Sequence, residues 1–104
     1  MSIKKQFLKT RPVCKVTFRI DKERAEALDA ESIYLVGDFN DWDETAAPMM
    51  HLKKGDFKAI LDLPIDDEYE FRYLVNGETW VNEEDADKAV PTEYPGTENS
   101  VIVT

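Results

Sequence analysis

The sequence predicts an all-β fold, a sandwich of about seven short antiparallel strands. Three observations carry that expectation. Apolar and polar residues alternate with a period of two in several short stretches, turn signals separate those stretches, and no apolar stripe is long enough for a convincing helix. "CKVTFRI" sets Cys14, Val16, Phe18 and Ile20 against Lys15, Thr17 and Arg19, the pattern of a half-buried strand. "DKERAEALDAES", residues 21–32, could make a helical turn or two, but Ala25, Ala27 and Leu28 form a short stripe, so the segment reads as a connection. "SIYLVGD" is nearly continuous apolar, which suits a central strand covered on both faces and ending at Gly37 and Asp38. In "FKAILDL" the inward set is Phe57, Ala59, Leu61 and Leu63, and "KKGD" before it is a hairpin connection. "EYEFRYLV" places Tyr69, Phe71, Tyr73 and Val75 on one face and Glu70, Arg72 and Leu74 on the other, before the chain reverses at Asn76 and Gly77. "NSVIV" closes the domain. The arrangement is immunoglobulin-like, although the Cys and Trp spacing of antibody domains is missing.

At 104 residues the chain has room for one core. Its organisation reads as a basic leader over residues 1–12, carrying Lys4, Lys5, Lys9 and Arg11 and closed by Pro12, followed by the sandwich over residues 13–104. The leader is expected to pack loosely. Apolar residues make up 42% and charged residues 34%, which is globular composition with a well-solvated surface. A net charge of −9, from 22 acidic against 13 basic residues, repels phosphate backbones and anionic headgroups, so nucleic acid and membrane are not expected partners. Cys14 has no second cysteine to pair with and reads as a small buried hydrophobe. With no signal-peptide pattern and no transmembrane run, a cytoplasmic location is expected.

The stretch "LVGDFNDWD" moves from an apolar run straight into a tryptophan ringed by carboxylates and amides. Trp42 is therefore either a core anchor or a surface platform. A sugar offers apolar C–H faces that stack on aromatic rings and hydroxyls that need fixed donors and acceptors, so its site wants exposed indoles beside polar side chains. Trp42 and Trp80 both sit beside turns amid polar residues, as such a site requires. For Trp80 the hairpin decides. A three-residue loop of Val75, Asn76 and Gly77 puts Arg72 opposite Trp80 on the outer face, whereas a two-residue turn of Asn76 and Gly77 pairs Tyr73 with Trp80 and turns the indole coreward.

"YLVGDFNDWD", "FKAILDLP", "YEFRYLVNGETWVNEEDAD" and "GTENSVIV" resemble carbohydrate-binding module family 48, the isoamylase N-terminal or early-set domain, from about Val13 to Val103. That module precedes the catalytic barrel of glycogen branching and starch debranching enzymes and forms the glycogen-binding domain of the AMP-activated protein kinase β subunit. The resemblance implies a β-sandwich in which two tryptophans stack on glucose rings, here Trp42 and Trp80. It implies a basic residue bonding hydroxyls at Arg72, usually lysine in the kinase subunit, and a threonine and an asparagine at Thr97 and Asn99. Pro95 stands where the kinase subunit has leucine, arginine replaces a point donor with a planar fork, and the turn before Trp80 holds one more residue. Phe39 is then expected to fix the loop to the core while Asp38, Asn40 and Asp41 shape the turn that presents Trp42.

Rival chemistries fit less well. A calcium loop built on Asp38, Asn40, Asp41 and Asp43 would need a ligand where Trp42 stands and a closing Glu. "NEEDAD", residues 82–87, reads as a solvated acidic loop, and His51 as a strand-end surface residue without a nucleophile or metal-ligand spacing beside it. The expectation is a free-standing, non-catalytic α-glucan-binding module with no cofactor and no metal. Its alternative is a docking module for an enzyme of glycogen metabolism, using the leader or a sheet edge and binding no glucan itself.

Overall fold

The alternation of apolar residues resolves into two antiparallel sheets packed face to face, in a computed structural model that describes residues 3–92 and 97–104. The described strands are β1 (Ile3–Phe7), β2 (Val13–Ile20), β3 (Ile33–Gly37), β4 (Met50–His51), β5 (Phe57–Pro64), β6 (Glu68–Val75), β7 (Thr79–Val81), β8 (Lys88–Pro91) and β9 (Glu98–Val103), with one short helix, α1 (Lys22–Ala27). One sheet runs β1-β2-β5-β4; the other runs β3-β6-β9-β8, with β7 also paired to β6. The sandwich expected from the sequence is confirmed, with more strands than the seven read there because β1, β4 and β8 are short and leave weak alternation.

Cys14, Val16, Phe18 and Ile20 of β2 are fully buried against Phe71, Tyr73 and Val75 of β6 and Ile102 of β9. Phe18 meets Phe71 edge-on at 5.2 Å between ring centres, and Phe71 meets Tyr73 at 5.8 Å. Full burial of each such side chain contributes about 1.5–3 kcal/mol, so β2 and β6 form the stable spine of the molecule. One polar cluster enters this core. The Tyr73 hydroxyl donates to Glu83 Oε1 at 2.6 Å, the Asp85 N–H donates to Glu83 Oε2, and the Glu83 N–H donates to Ser100 Oγ. Burial pushes the Tyr73 hydroxyl well above the ordinary phenol range, and the Glu83 charge pushes it further.

Three local expectations change. The segment read as a loosely packed leader contains β1, an edge strand in register from Ile3 opposite Phe18 to Phe7 opposite Cys14. Ile3 is buried and Lys5 reaches Asp87 at 2.6 Å, so one buried apolar residue and one ion pair suffice where a paired neighbour supplies the rest. Residues 22–27, read as connection, form α1, started by Asp21 Oδ1 accepting from the Arg24 N–H at 2.8 Å. β3 is buried on both faces as expected but is not flanked by two named strands. Its outer edge is covered by the segment before β4, through Leu35 N–H to Ala47 O and Met49 N–H to Ile33 O.

Candidate functional site

Trp42 is delivered by the turn that ends β3. Gly37 lies so close to β6 that a Cβ there would stand 2.5 Å from the Glu70 carbonyl oxygen and 2.7 Å from Phe71 Cβ. The chain then makes a single 3-10 turn, Asp38–Asn40. Phe39 drops its ring among Phe18, Phe71 and Tyr69, with centres 5.9, 6.3 and 6.2 Å away. Asn40 ties the turn back to the strand, accepting from the Gly37 N–H and donating to Leu35 O. Asp41 and Trp42 follow with φ of 54° and 57°, two consecutive left-handed residues that are not glycine. Such residues cost of order 1–3 kcal/mol each and persist where the surroundings impose them. Here the Trp42 N–H is held by Gly37 O at 2.9 Å, and the Trp42 Nε1–H donates to Asp38 Oδ1 at 2.8 Å.

Asp38 is the joint of this assembly. Its second oxygen accepts the Glu70 N–H at 2.8 Å, so one carboxylate fixes both the indole and the neighbouring strand. Asp43 turns its Oδ1 to the Thr45 backbone N–H and hydroxyl, both at 2.8 Å, which holds its carboxyl below the usual carboxylate range. The carboxylates around Trp42 therefore serve to build its mount, Phe39 anchoring and Asp38 and Asn40 bracing as the sequence suggested.

Trp80 arrives by a different register from either hairpin considered above. The loop comprises Asn76, Gly77 and Glu78, with Asn76 at φ 54°, Gly77 at φ 71° and the Glu78 N–H bonded to Val75 O. Val75 then faces Thr79 and Leu74 faces Trp80. Trp80 consequently projects on the face of β6 that carries Glu70, Arg72 and Leu74, away from Tyr73 and the core, and is 37% exposed.

Trp42, Arg72, Trp80, Thr97 and Asn99 all line one open groove of about 480 Å³ on the outer face of the β3-β6-β9-β8 sheet. Asn99 donates from Nδ2 to Glu70 Oε1 at 3.1 Å. Thr97 shares a short hydroxyl–hydroxyl hydrogen bond with Thr92, whose N–H donates to Thr97 O. The Arg72 Nε is buried and has no hydrogen-bond partner among the described residues. Pro95, noted above for replacing a leucine, lies outside the described residues.

Glu70, Pro91 and Thr92 complete the lining and were not singled out in the sequence. The alternation of "EYEFRYLV" already put Glu70 beside Arg72, so that signal was present. Pro91 and Thr92 enter only because β8 pairs with β9, Pro91 facing Glu98 and Val90 facing Asn99, a pairing no local pattern announces.

The class so defined is a β-sandwich with an open, aromatic-lined polar groove on the outer face of one sheet. The chain belongs to the family of the glycogen recognition site of AMP-activated protein kinase, which it matches over residues 27–103. No curated protein matches it. The match covers both indoles, Arg72, Thr97 and Asn99, and it agrees with the resemblance read from the motifs.

Proposed function

We propose that this protein is a non-catalytic α-glucan-binding module in which glucose rings stack on Trp42 and Trp80 while Arg72, Thr97 and Asn99 bond the hydroxyls. The observation that carries this reading is convergence: five residues from distant parts of the chain line a single groove. The family supports glycogen or a similar glucan as the ligand. The chemistry agrees. Two partly exposed indoles in the lining offer faces for C–H stacking, and Arg72 supplies a charged donor group beside them. Among the described lining residues Glu70 is the one carboxylate, whereas glycoside hydrolysis works with a pair held across the bond. The lone buried Cys14 suits a reducing compartment, and a cytoplasmic location is part of the proposal. No described helix is long and apolar enough to cross a membrane.

Two stacked rings in a shallow groove give net binding of about 4–7 kcal/mol, hence dissociation constants from about 1 mM to tens of μM, which a polyvalent chain strengthens by repeated attachment. Affinity electrophoresis through a glycogen-containing gel tests the reading. Wild type should be retarded, and W42A and W80A, each verified as folded by circular dichroism, should run as they do without glycogen. Unretarded wild type at glycogen well above that range overturns the reading and leaves the docking module as its successor.

A further inference from the structure

Glu70 gives the groove a direction. Its Oε1 accepts from Asn99 Nδ2 at 3.1 Å, while Oε2 takes no hydrogen bond from any described residue. The amide of Asn99 is thereby oriented: a flipped amide would set its carbonyl oxygen against a carboxylate, so Nδ2 faces Glu70 and Oδ1 is left on the opposite side. The groove thus has an acceptor in Glu70 Oε2 and a donor in Arg72, two residues along the same face of β6. Glu70 and Arg72 are not ion-paired to each other, although they are neighbours of opposite charge. Glu70 is also held where it is, because its N–H is bonded to the Asp38 carboxylate that fixes Trp42. With its backbone tied to the Asp38 that holds Trp42 and its side chain tied to Asn99, the Glu70 carboxylate has a fixed place in the groove that both residues line.

We propose that Glu70 is the specificity-determining residue of this groove, accepting hydrogen bonds from the hydroxyls of a neutral glucan and rejecting chains that carry phosphate or carboxylate groups. The proposal rests on the glucan reading given above and names what that reading leaves open. A hydroxyl both donates and accepts, so a polyol can donate a hydrogen bond to Glu70 while accepting one from Arg72. A phosphate monoester satisfies Arg72 but is repelled by the like charge of the Glu70 carboxylate two residues away. The second role conceivable for Glu70, orienting Asn99 without touching the ligand, is separable. In E70Q the amide oxygen can still accept from Asn99, but the second position becomes an N–H₂ donor and the charge is gone.

The test titrates wild type, E70Q, N99A and R72A with maltoheptaose and with the same chain phosphorylated at a 6-hydroxyl, each variant first shown by its thermal melt to be folded. Wild type should bind the neutral chain at least about tenfold more tightly than the phosphorylated one, the scale of one charged hydrogen bond lost. E70Q should bind maltoheptaose about tenfold more weakly and lose most of that preference, while N99A should weaken binding yet keep it. If E70Q binds maltoheptaose as wild type does, or retains the full preference, Glu70 is at most a positioning residue and the proposal fails, while loss of binding in R72A leaves the glucan site standing. If wild type binds neither chain, the glucan site itself fails and the proposal with it.

Discussion

At the scale of single residues, the site depends on one close approach. Gly37 has extended backbone that any residue could adopt, so its role is the absent side chain and not a special φ. A Cβ would also stand 3.0 Å from Phe39 Cζ, the ring that anchors the Trp42 turn. Because the crowded atoms are backbone and the root of a core side chain, neither can yield without moving β6. G37A should therefore destabilise the fold by about 3 kcal/mol, at the upper end of overpacking costs, and urea unfolding should show it as a lowered midpoint at unchanged slope. A cost within error of zero would mean that β3 and β6 have room the structure does not show. The glycine was legible in the sequence as the end of an apolar strand, but its reason was not, since closeness to Glu70 and Phe71 depends on a partner strand more than thirty residues away in "EYEFRYLV". The same limit explains why Glu70 was placed on the right face without being recognised as part of a site. Alternation says which way a side chain points, and pairing says what it meets.

Among the elements, β1 shows how little a strand needs once a neighbour is in place. Its attachment rests on the ladder to β2, the buried Ile3 and the bond from Lys5 Nζ to Asp87 Oδ2. Asp87 also accepts the Val103 N–H at 2.7 Å, so this carboxylate joins β1 of one sheet to the β8–β9 edge of the other. Partial burial acts on its pKa upward, but the Lys5 and Val103 donors outweigh that effect and leave the carboxyl below its ordinary value. A carboxyl depressed in the folded state favours folding above its unfolded pKa, near 3.9, and that contribution disappears as pH falls through the lower folded value. The melting temperature of wild type should thus drop below pH 4, and D87N should be less stable at neutral pH by about 0.5–1 kcal/mol for so exposed a pair, melting lower there and showing a flatter acid limb. Identical acid limbs would show that other carboxylates carry the effect. The leader was misread in the sequence for the same physical reason that makes D87N informative: Lys5 looks like a solvated charge until Asp87, brought in from the other sheet, gives it a partner. The hairpin before Trp80 shows a milder version. The asparagine–glycine signal announced the turn, yet its length, and with it the facing pair, was set by the Asn76 side chain, which accepts from the Glu31 and Ser32 N–H groups and donates to Asp29 O.

Across the whole molecule, the two outer faces of the sandwich have different characters. On the β1-β2-β5-β4 sheet, Lys4, Lys15, Arg19 and Lys58 point outward among Gln6, Thr17 and Ile60, offset by Asp62 in the grid and by Asp56, which is ion-paired to Arg19. The opposite sheet carries the groove, in which, among the described residues, the cation Arg72 stands beside the anion Glu70, in a chain of net charge −9. The field that disfavours nucleic acid and anionic surfaces has no net purchase on an uncharged glucan, whose stacking and hydroxyl bonds release no counterions. Glycogen or maltoheptaose binding should accordingly change by less than about twofold between 50 and 500 mM NaCl, because stacking is unscreened and the charged hydrogen bonds act at contact distance. A polyanion attracted to the cationic sheet would instead lose affinity steeply over the same range, with a slope set by the number of charges neutralised. Isothermal titration at several salt concentrations separates the two cases. A steep salt dependence for a neutral chain would place its binding outside the aromatic groove and remove the physical basis for assigning Trp42 and Trp80 as its platforms.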